Sequence, residues 1–286
     1  MRRAARYGPW ALITGASDGI GKALATRIAA EGINVVLCAR RKSELETLAV
    51  KLTADHGIES MVLPADLADA QDAARVADIT SRLDIGLVVL AAGFGTTGSV
   101  LETSLSEEIQ LVSVNITAVM RLSHTFARRL ATRGRGGLVL FGSIVGWQGV
   151  PGQANYAASK AYVQSLAEGL HDELASHGVD VLAVAPGPVA SGFGARAGLY
   201  MDSATKPDVI AKATLGALGR RKIIPGNKGK LLTASLLLLP RRIRSLVLGR
   251  VIAGMRASST TTRARHSTPG RAVRGTDTRA RERSGG

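Results

Sequence analysis

The sequence predicts an α/β fold: a single three-layer α/β/α domain built on a doubly wound parallel sheet. Apolar runs such as Val35–Leu37, Leu87–Leu90, Leu138–Phe141 and Val181–Ala185 lack polar alternation, as expected of strands covered on both faces. Helical stretches near 18–31, 43–55, 69–82, 106–132, 153–177 and 207–219 separate these runs. That alternation is what βαβ crossovers require. With 286 residues, 45% of them hydrophobic, the chain can fill one large core.

The first strand signal runs from Trp10 into Thr14-Gly15-Ala16-Ser17-Asp18-Gly19-Ile20-Gly21, and a helical pattern with Leu24 and Ile28 follows. A strand, a glycine-rich turn and a helix N-terminus gather backbone N–H groups and the positive end of a helix dipole at one point. Such a point suits a pyrophosphate. The glycine spacing Gly-x-x-x-Gly-x-Gly differs from the common dinucleotide fingerprint Gly-x-Gly-x-x-Gly. The second strand, Ile33–Ala39, ends in Arg40-Arg41-Lys42, where a dinucleotide fold meets the adenosine ribose. An acid at this place would accept from the ribose hydroxyls of NAD, whereas an arginine offers a planar fork to the 2′-phosphate of NADP. NADP(H) is therefore the expected cofactor, ahead of NAD(H).

Chemistry is concentrated in Tyr156-Ala157-Ala158-Ser159-Lys160, with Ser143 thirteen residues upstream. On a helix over 153–177, positions i and i+4 share one face, so a phenol and an ammonium meet the same space. A free tyrosine titrates near pH 10, and a neighbouring cation lowers that value. Tyr156 is thus the expected proton-exchanging group toward a substrate carbonyl or hydroxyl. Ser143 would hold the same oxygen by a hydrogen bond.

Taken together, these motifs resemble the short-chain dehydrogenase/reductase family, a group with the Rossmann fold. The resemblance spans residues 10 to about 225 and rests on the glycine loop, Asp66-Leu67, Ala92-Gly93, Asn115, Ser143, Tyr156, Lys160 and Pro186-Gly187, in order. It implies a catalytic tetrad of Asn115, Ser143, Tyr156 and Lys160. The lysine would also bind the nicotinamide ribose, and the asparagine would hold a water in a proton relay. Cofactor contacts are implied for Gly15, Ser17, Asp18, Gly19, Ile20, Gly21, Arg40, Asp66 at the adenine, Leu67, Ala92, Gly93, and Val189 at the carboxamide. A substrate lid over 188–206 and a homodimer or homotetramer paired through the fourth and fifth helices are implied as well. Two positions depart from the family pattern: Ala91 replaces the usual asparagine before Ala92-Gly93, and Ser191 stands where a threonine often follows Pro-Gly.

Activity on a carbonyl or secondary alcohol is expected, with a non-catalytic redox-sensing module as the alternative. Val189, Phe193, Leu199, Tyr200, Met201, Trp147 and Val150 suggest an apolar carbonyl compound, and the C-terminal apolar and basic segment resembles that of the ketoacyl- and steroid-reductase branch of the family, which implies a long-chain 3-oxoacyl thioester or a steroid-like ketone. The single Cys38 forbids an intrachain disulfide and suits a reducing cytoplasm. No metal site is expected, because the five histidines form no ligand constellation with it. The basic start, Met1–Arg6, passes at once toward the first strand, leaving no room for a signal-peptide apolar region.

The formal charge is +15. Residues 256–286 hold eight arginines against one Asp and one Glu, and their Ser, Thr, Gly and Pro content predicts a disordered tail. The tail has no aromatic residue for base stacking, so no specific nucleic acid is expected. Between domain and tail, 226–255 forms an apolar and basic segment. Leu231–Pro240 is too short to span a bilayer, and after it arginines alternate with apolar clusters. Three roles fit that segment: contact with an anionic membrane through 231–255, packing on a second subunit, or covering the chain's own core.

Overall fold

The computed structural model describes residues 2–200 and 204–266. Its elements in chain order begin with α1 (Arg2–Tyr7), β1 (Trp10–Thr14), α2 (Gly19–Ala29), β2 (Asn34–Ala39), α3 (Lys42–His56), β3 (Ser60–Pro64) and α4 (Ala70–Ile79). They continue with β4 (Ile85–Leu90), α5 (Leu105–Val112), α6 (Val119–Arg133), β5 (Gly136–Phe141), α7 (Ala154–Ala175) and β6 (Val179–Val184). Last come α8 (Gly192–Ala197), α9 (Pro207–Gly216), β7 (Lys222–Ile223), α10 (Asn227–Leu237) and α11 (Arg241–His266). The sheet runs β3-β2-β1-β4-β5-β6-β7, with every neighbouring pair parallel. The expected doubly wound Rossmann architecture is therefore present.

Strand alternation divides the core into two layers. Ala11, Ile13, Val35, Leu37 and Val89 face one side, under Leu24 and Ile28 of α2, Leu45 and Leu52 of α3, and Ile210 of α9. Leu12, Val36, Val88 and Leu138 face the other, under Val76 of α4, Phe126 and Leu130 of α6, and Val163 of α7. Both faces are dry. This explains why the strands read as unbroken apolar runs, and each fully buried side chain contributes roughly 1.5–3 kcal/mol.

The direction of winding places the site. From β1 the chain steps outward to β2 and β3, then returns to the opposite side of β1 for β4 and steps outward again. The carboxyl ends of β1 and β4 therefore border a crevice where helices leave in opposite directions, the switch point at which such sheets take ligands. Thr14, the last residue of β1, ties the two strand ends together. Its hydroxyl accepts from the Ala92 N–H at 3.1 Å and donates to the Val89 carbonyl at 3.4 Å. This bridge braces the end of β4 at the point where Ala91 lacks a polar side chain.

Some boundaries differ from the sequence reading. A helical turn, α1, precedes β1 where the basic start was expected to lead directly into the strand. It is held there by Tyr7, buried with its hydroxyl donating to Asp180 Oδ2 at 2.6 Å. The expected helix over 106–132 is interrupted by a π-helical segment, Ser113–Ala118, between α5 and α6. At the C-terminal end, α11 continues to His266, past the expected start of a disordered tail at 256. The remainder of that tail, 267–286, lies outside the described residues.

Candidate active site

The glycine loop enters the crevice from β1. Gly15 has φ +69°, and a Cβ there would lie 2.9 Å from the Ala92 backbone nitrogen. Only a residue without a side chain lets the loop rest on the β4 turn in this conformation. Gly19 opens α2; a Cβ on it would stand 2.9 Å from Ser191 Cβ, and one on Gly21 would run into the Gly15 carbonyl. The close packing that these glycines allow shapes the loop into a cradle at the N-terminus of an 11-residue helix with no acid in its first turn. Asp18, just before it, is turned aside: its Oδ2 accepts from the Gly192 N–H at 2.8 Å, tying the loop to the start of α8.

Beside the cradle, Arg41 donates from Nη2 to both the carbonyl and the hydroxyl oxygen of Ser17, each at 3.2 Å. Arg40 lines the same wall. Asp66 begins the turn after β3, its Oδ1 accepting from the Ala68 N–H at 3.1 Å. From above, Arg196 of α8 lays its guanidinium 3.9 Å from the Phe94 ring centroid and donates to Gln110 Oε1 at 3.3 Å. Burial first, and repulsion from Arg40 second, hold its pKa below the ordinary arginine value.

The side chains expected to react stand at the other end. Helix α7 carries Tyr156, Lys160 and Gln164 at successive i+4 steps, and all three are buried. Gln164 Oε1 accepts from the Ser143 N–H at 3.0 Å, fixing the turn that presents the serine. Lys160 Nζ donates to the Phe141 carbonyl at 2.9 Å and stands 5.7 Å from the centroid of the Tyr156 ring. The other side of the phenol meets the Phe193 ring, with centroids 5.4 Å apart. Burial pushes the Tyr156 phenol above the ordinary tyrosine value, and the Ser143 hydroxyl pulls it back only in part. Burial also lowers Lys160 to about 8. The lowering of Tyr156 expected from Lys160 is not found: burial dominates, opposed only by the Ser143 hydroxyl, and the phenol is held protonated at neutral pH.

Asn115 sits behind this wall. It lies in the π-helical segment, a local widening often found at functional sites. Its Oδ1 accepts from the Phe94 N–H at 3.1 Å, and its Nδ2 donates to the Phe94 carbonyl at 2.9 Å and to Ser159 Oγ at 3.1 Å. The carboxamide thereby pins the turn after β4. Gly93 makes room for this: a Cβ there would lie 3.0 Å from Asn115 Oδ1 and 3.3 Å from Lys160 Nζ.

One cavity of about 540 Å³ joins the two ends. Gly15, Ser17, Asp18, Gly19, Ile20, Gly21, Arg40, Asp66, Leu67, Ala92, Gly93, Ser143, Tyr156, Lys160 and Val189 all line it, whereas Asn115 does not. Val189, Phe193 and Leu199 reach it from the expected lid. Trp147, Val150 and Tyr200 do not line it, and Met201 lies outside the described residues. The sequence reading did not find Gln164, although its place two i+4 steps beyond Tyr156 was a usable signal. It also gave no cavity role to Arg196 or to Leu232, Leu248, Val251, Ile252 and Met255 of α10 and α11, which form the far wall. Nothing local in the sequence marks those as lining residues.

Residues 9–198 match the short chain dehydrogenase family. A 7beta-hydroxysteroid dehydrogenase of Clostridium sardiniense is 36% identical over 64% of this chain and 70% of its own length. A very-long-chain 3-oxoacyl-CoA reductase of Podospora anserina is 34% identical over 77% of this chain, which spans 66% of that relative. Among solved structures, a short-chain dehydrogenase of Sphingobium yanoikuyae in complex with NADPH superposes with a TM-score of 0.72 at 34% identity, over 76% of this chain and 87% of that one. A family match across two thirds of the chain, on a sheet and crevice of this kind, makes it a member of the short-chain dehydrogenase/reductase family, nicotinamide-dependent oxidoreductases acting on CH–OH groups.

Proposed function

We propose that the protein is an NADP(H)-dependent reductase of an apolar ketone, with a 3-oxoacyl thioester or a steroid-like ketone as the substrate class. The observation that carries this reading is the convergence of Ser143, Tyr156 and Lys160 on the same cavity as the glycine cradle and the arginines after β2. A nicotinamide cofactor, when bound, supplies the hydride or accepts it. The cradle at Gly15, Gly19 and Gly21 fits its pyrophosphate, since the loop lines the cavity at the N-terminus of α2, where backbone N–H groups and the helix dipole favour an anion. Arg40 and Arg41 would hold the 2′-phosphate, with the hydrogen bonds from Arg41 to Ser17 orienting its guanidinium.

In the reduction direction Tyr156 passes its phenolic proton to the developing substrate alkoxide, and its burial keeps that proton in place until needed. Ser143 positions the same oxygen by a hydrogen bond. Lys160, held by the Phe141 carbonyl, places positive charge under the phenol, where it stabilises the phenolate left behind. Asn115 and Gln164 position the turns that carry these groups. The far wall is apolar: Leu248, Ile252 and Met255 come from α11 and Leu199 from the chain after α8. Such a wall suits a bulky apolar carbonyl compound, in keeping with the substrates that the names of both relatives state. Assembly as a homodimer or homotetramer through α5–α6 and α7 belongs to the same reading, and light scattering of the purified chain measures it.

A panel of steroid, 3-oxoacyl and short aliphatic ketones, followed at 340 nm with NADPH and with NADH, tests reaction, cofactor and substrate class together. Turnover confined to small polar ketones would remove the substrate assignment. Tyr156→Phe is expected to lower kcat by about two to four orders of magnitude with NADPH affinity retained, as read by cofactor fluorescence. Undiminished turnover would exclude Tyr156 as the proton donor. The double variant Arg40→Ala/Arg41→Ala is expected to raise KM for NADPH by about 10- to 100-fold and to leave KM for NADH nearly unchanged; equal changes for both cofactors would contradict the 2′-phosphate assignment.

Lys160 carries a stability consequence as well. Its pKa falls from the ordinary 10.5 to about 8 on burial, so the unfolded chain holds that proton more tightly than the native state does. The resulting penalty, about 3 kcal/mol, is complete below about pH 8 and disappears as pH rises toward 10.5. Lys160→Met is therefore expected to unfold at higher temperature than the parent at pH 7, with the difference shrinking toward pH 10.5, while turnover is lost. Calorimetry that gave the same difference at both pH values would refute the burial penalty.

A further inference from the structure

Helix α11 has two working faces. Its inner stripe, Leu248, Ile252 and Met255, lines the cavity. The helix is fixed there by three contacts. Arg256 Nη1 pairs with Glu102 Oε2 at 2.7 Å, the Tyr200 N–H donates to the Met255 carbonyl at 3.1 Å, and Gly249 lies so close to Pro151 that a Cβ would sit 3.0 Å from its ring. The outer stripe repeats at helical spacing as Arg242, Ile243, Leu246 and Arg250. All four are exposed, Leu246 at 47%. Helix α10 and the turn after it add Lys230, Leu231 and Leu238, the leucines 72% and 87% exposed. Between Asp208 and Asp277 the sequence contains no Asp or Glu at all.

Exposed leucines set among cations, without a single acid, match the interface of an anionic bilayer, where apolar side chains enter the acyl boundary and arginines meet headgroup phosphates. A second copy of the chain fits poorly, because symmetric pairing through this face would bring arginine against arginine. The patch also reaches the cavity. Leu232 and Val251 line it, yet are 37% and 46% exposed, so they stand at its mouth beside the outer stripe.

We infer that α10 and α11 dock the protein on an anionic lipid surface, with the cavity mouth between Leu232 and Val251 facing that surface and admitting an apolar substrate from it. The docking is independent of the reaction assigned above; the entry route rests on it.

The test uses the full chain with vesicles of phosphatidylcholine alone or mixed with phosphatidylglycerol. Two double variants are compared with the parent, Leu238→Glu/Leu246→Glu and Arg242→Glu/Arg250→Glu. All four positions are exposed and lie outside the reactive machinery, so turnover of a small water-soluble ketone should be unchanged. The parent is expected to sediment with phosphatidylglycerol vesicles and to be released by salt, and each double variant to lose affinity by about tenfold or more. The turnover advantage of a long-chain ketone presented in those vesicles should disappear in both variants. Parent affinity that survives in the variants would assign the attraction to basic residues elsewhere in the chain and overturn the proposal. Light scattering that showed the variants breaking an oligomer, with no vesicle binding by the parent, would assign the face to a second copy and overturn it equally. Vesicle binding without turnover of any ketone would uphold the docking and defeat the reaction assignment, so the two fail separately.

Discussion

The site is organised around an ammonium group kept out of water. Lys160 Nζ is buried beneath the Tyr156 ring with the Phe141 carbonyl as its hydrogen-bond partner, and an isolated charge in such a place is costly. The surrounding structure makes the placement geometrically tolerable. Gly93 leaves out the side chain that would crowd it, Asn115 holds the turn on which Gly93 lies, and Gln164 locks the Ser143 turn one helical step further on. The fold thus holds a strained electrostatic arrangement at the carboxyl ends of its strands and draws its stability from the two dry layers beneath.

The same crevice concentrates cations from separate parts of the chain. Arg40 and Arg41 arrive from the end of β2, Lys160 from α7 and Arg196 from α8. The acids are either turned to backbone amides, as Asp18 is to Gly192 and Asp66 is to Ala68, or kept outside. Arg196 is further held by stacking on Phe94, which also lines the cavity.

Much of this was legible in the sequence because it depends on local rules. Unalternated apolar strands, glycines before a helix and an i+4 pair of reactive side chains each carry their meaning within a few residues. The doubly wound parallel architecture followed from them. What was not legible depends on distant contact. The neutral state of Tyr156 is set by burial among distant parts of the chain, Phe193 among them, and not by its sequence neighbour Lys160. The cavity role of Leu248 and Ile252 is set by α11 folding back over the crevice. The π-helical widening around Asn115 has no signature of its own, since Ser113–Ala118 reads as ordinary helix. The turn α1 was overlooked because six residues are too few for periodicity and because its anchor, Asp180, is far away in sequence.

The cavity has two builders. The glycine loop, Ser143, Tyr156 and Lys160 lie within 9–198, the span shared with the family, whereas Leu232, Leu248, Val251, Ile252 and Met255 of its apolar far wall come from α10 and α11, beyond that span. Under the proposed function, proton handling and substrate choice would therefore draw on different stretches of the polypeptide. Exchange of the C-terminal stretch would then alter the far wall while Ser143, Tyr156 and Lys160 keep their places.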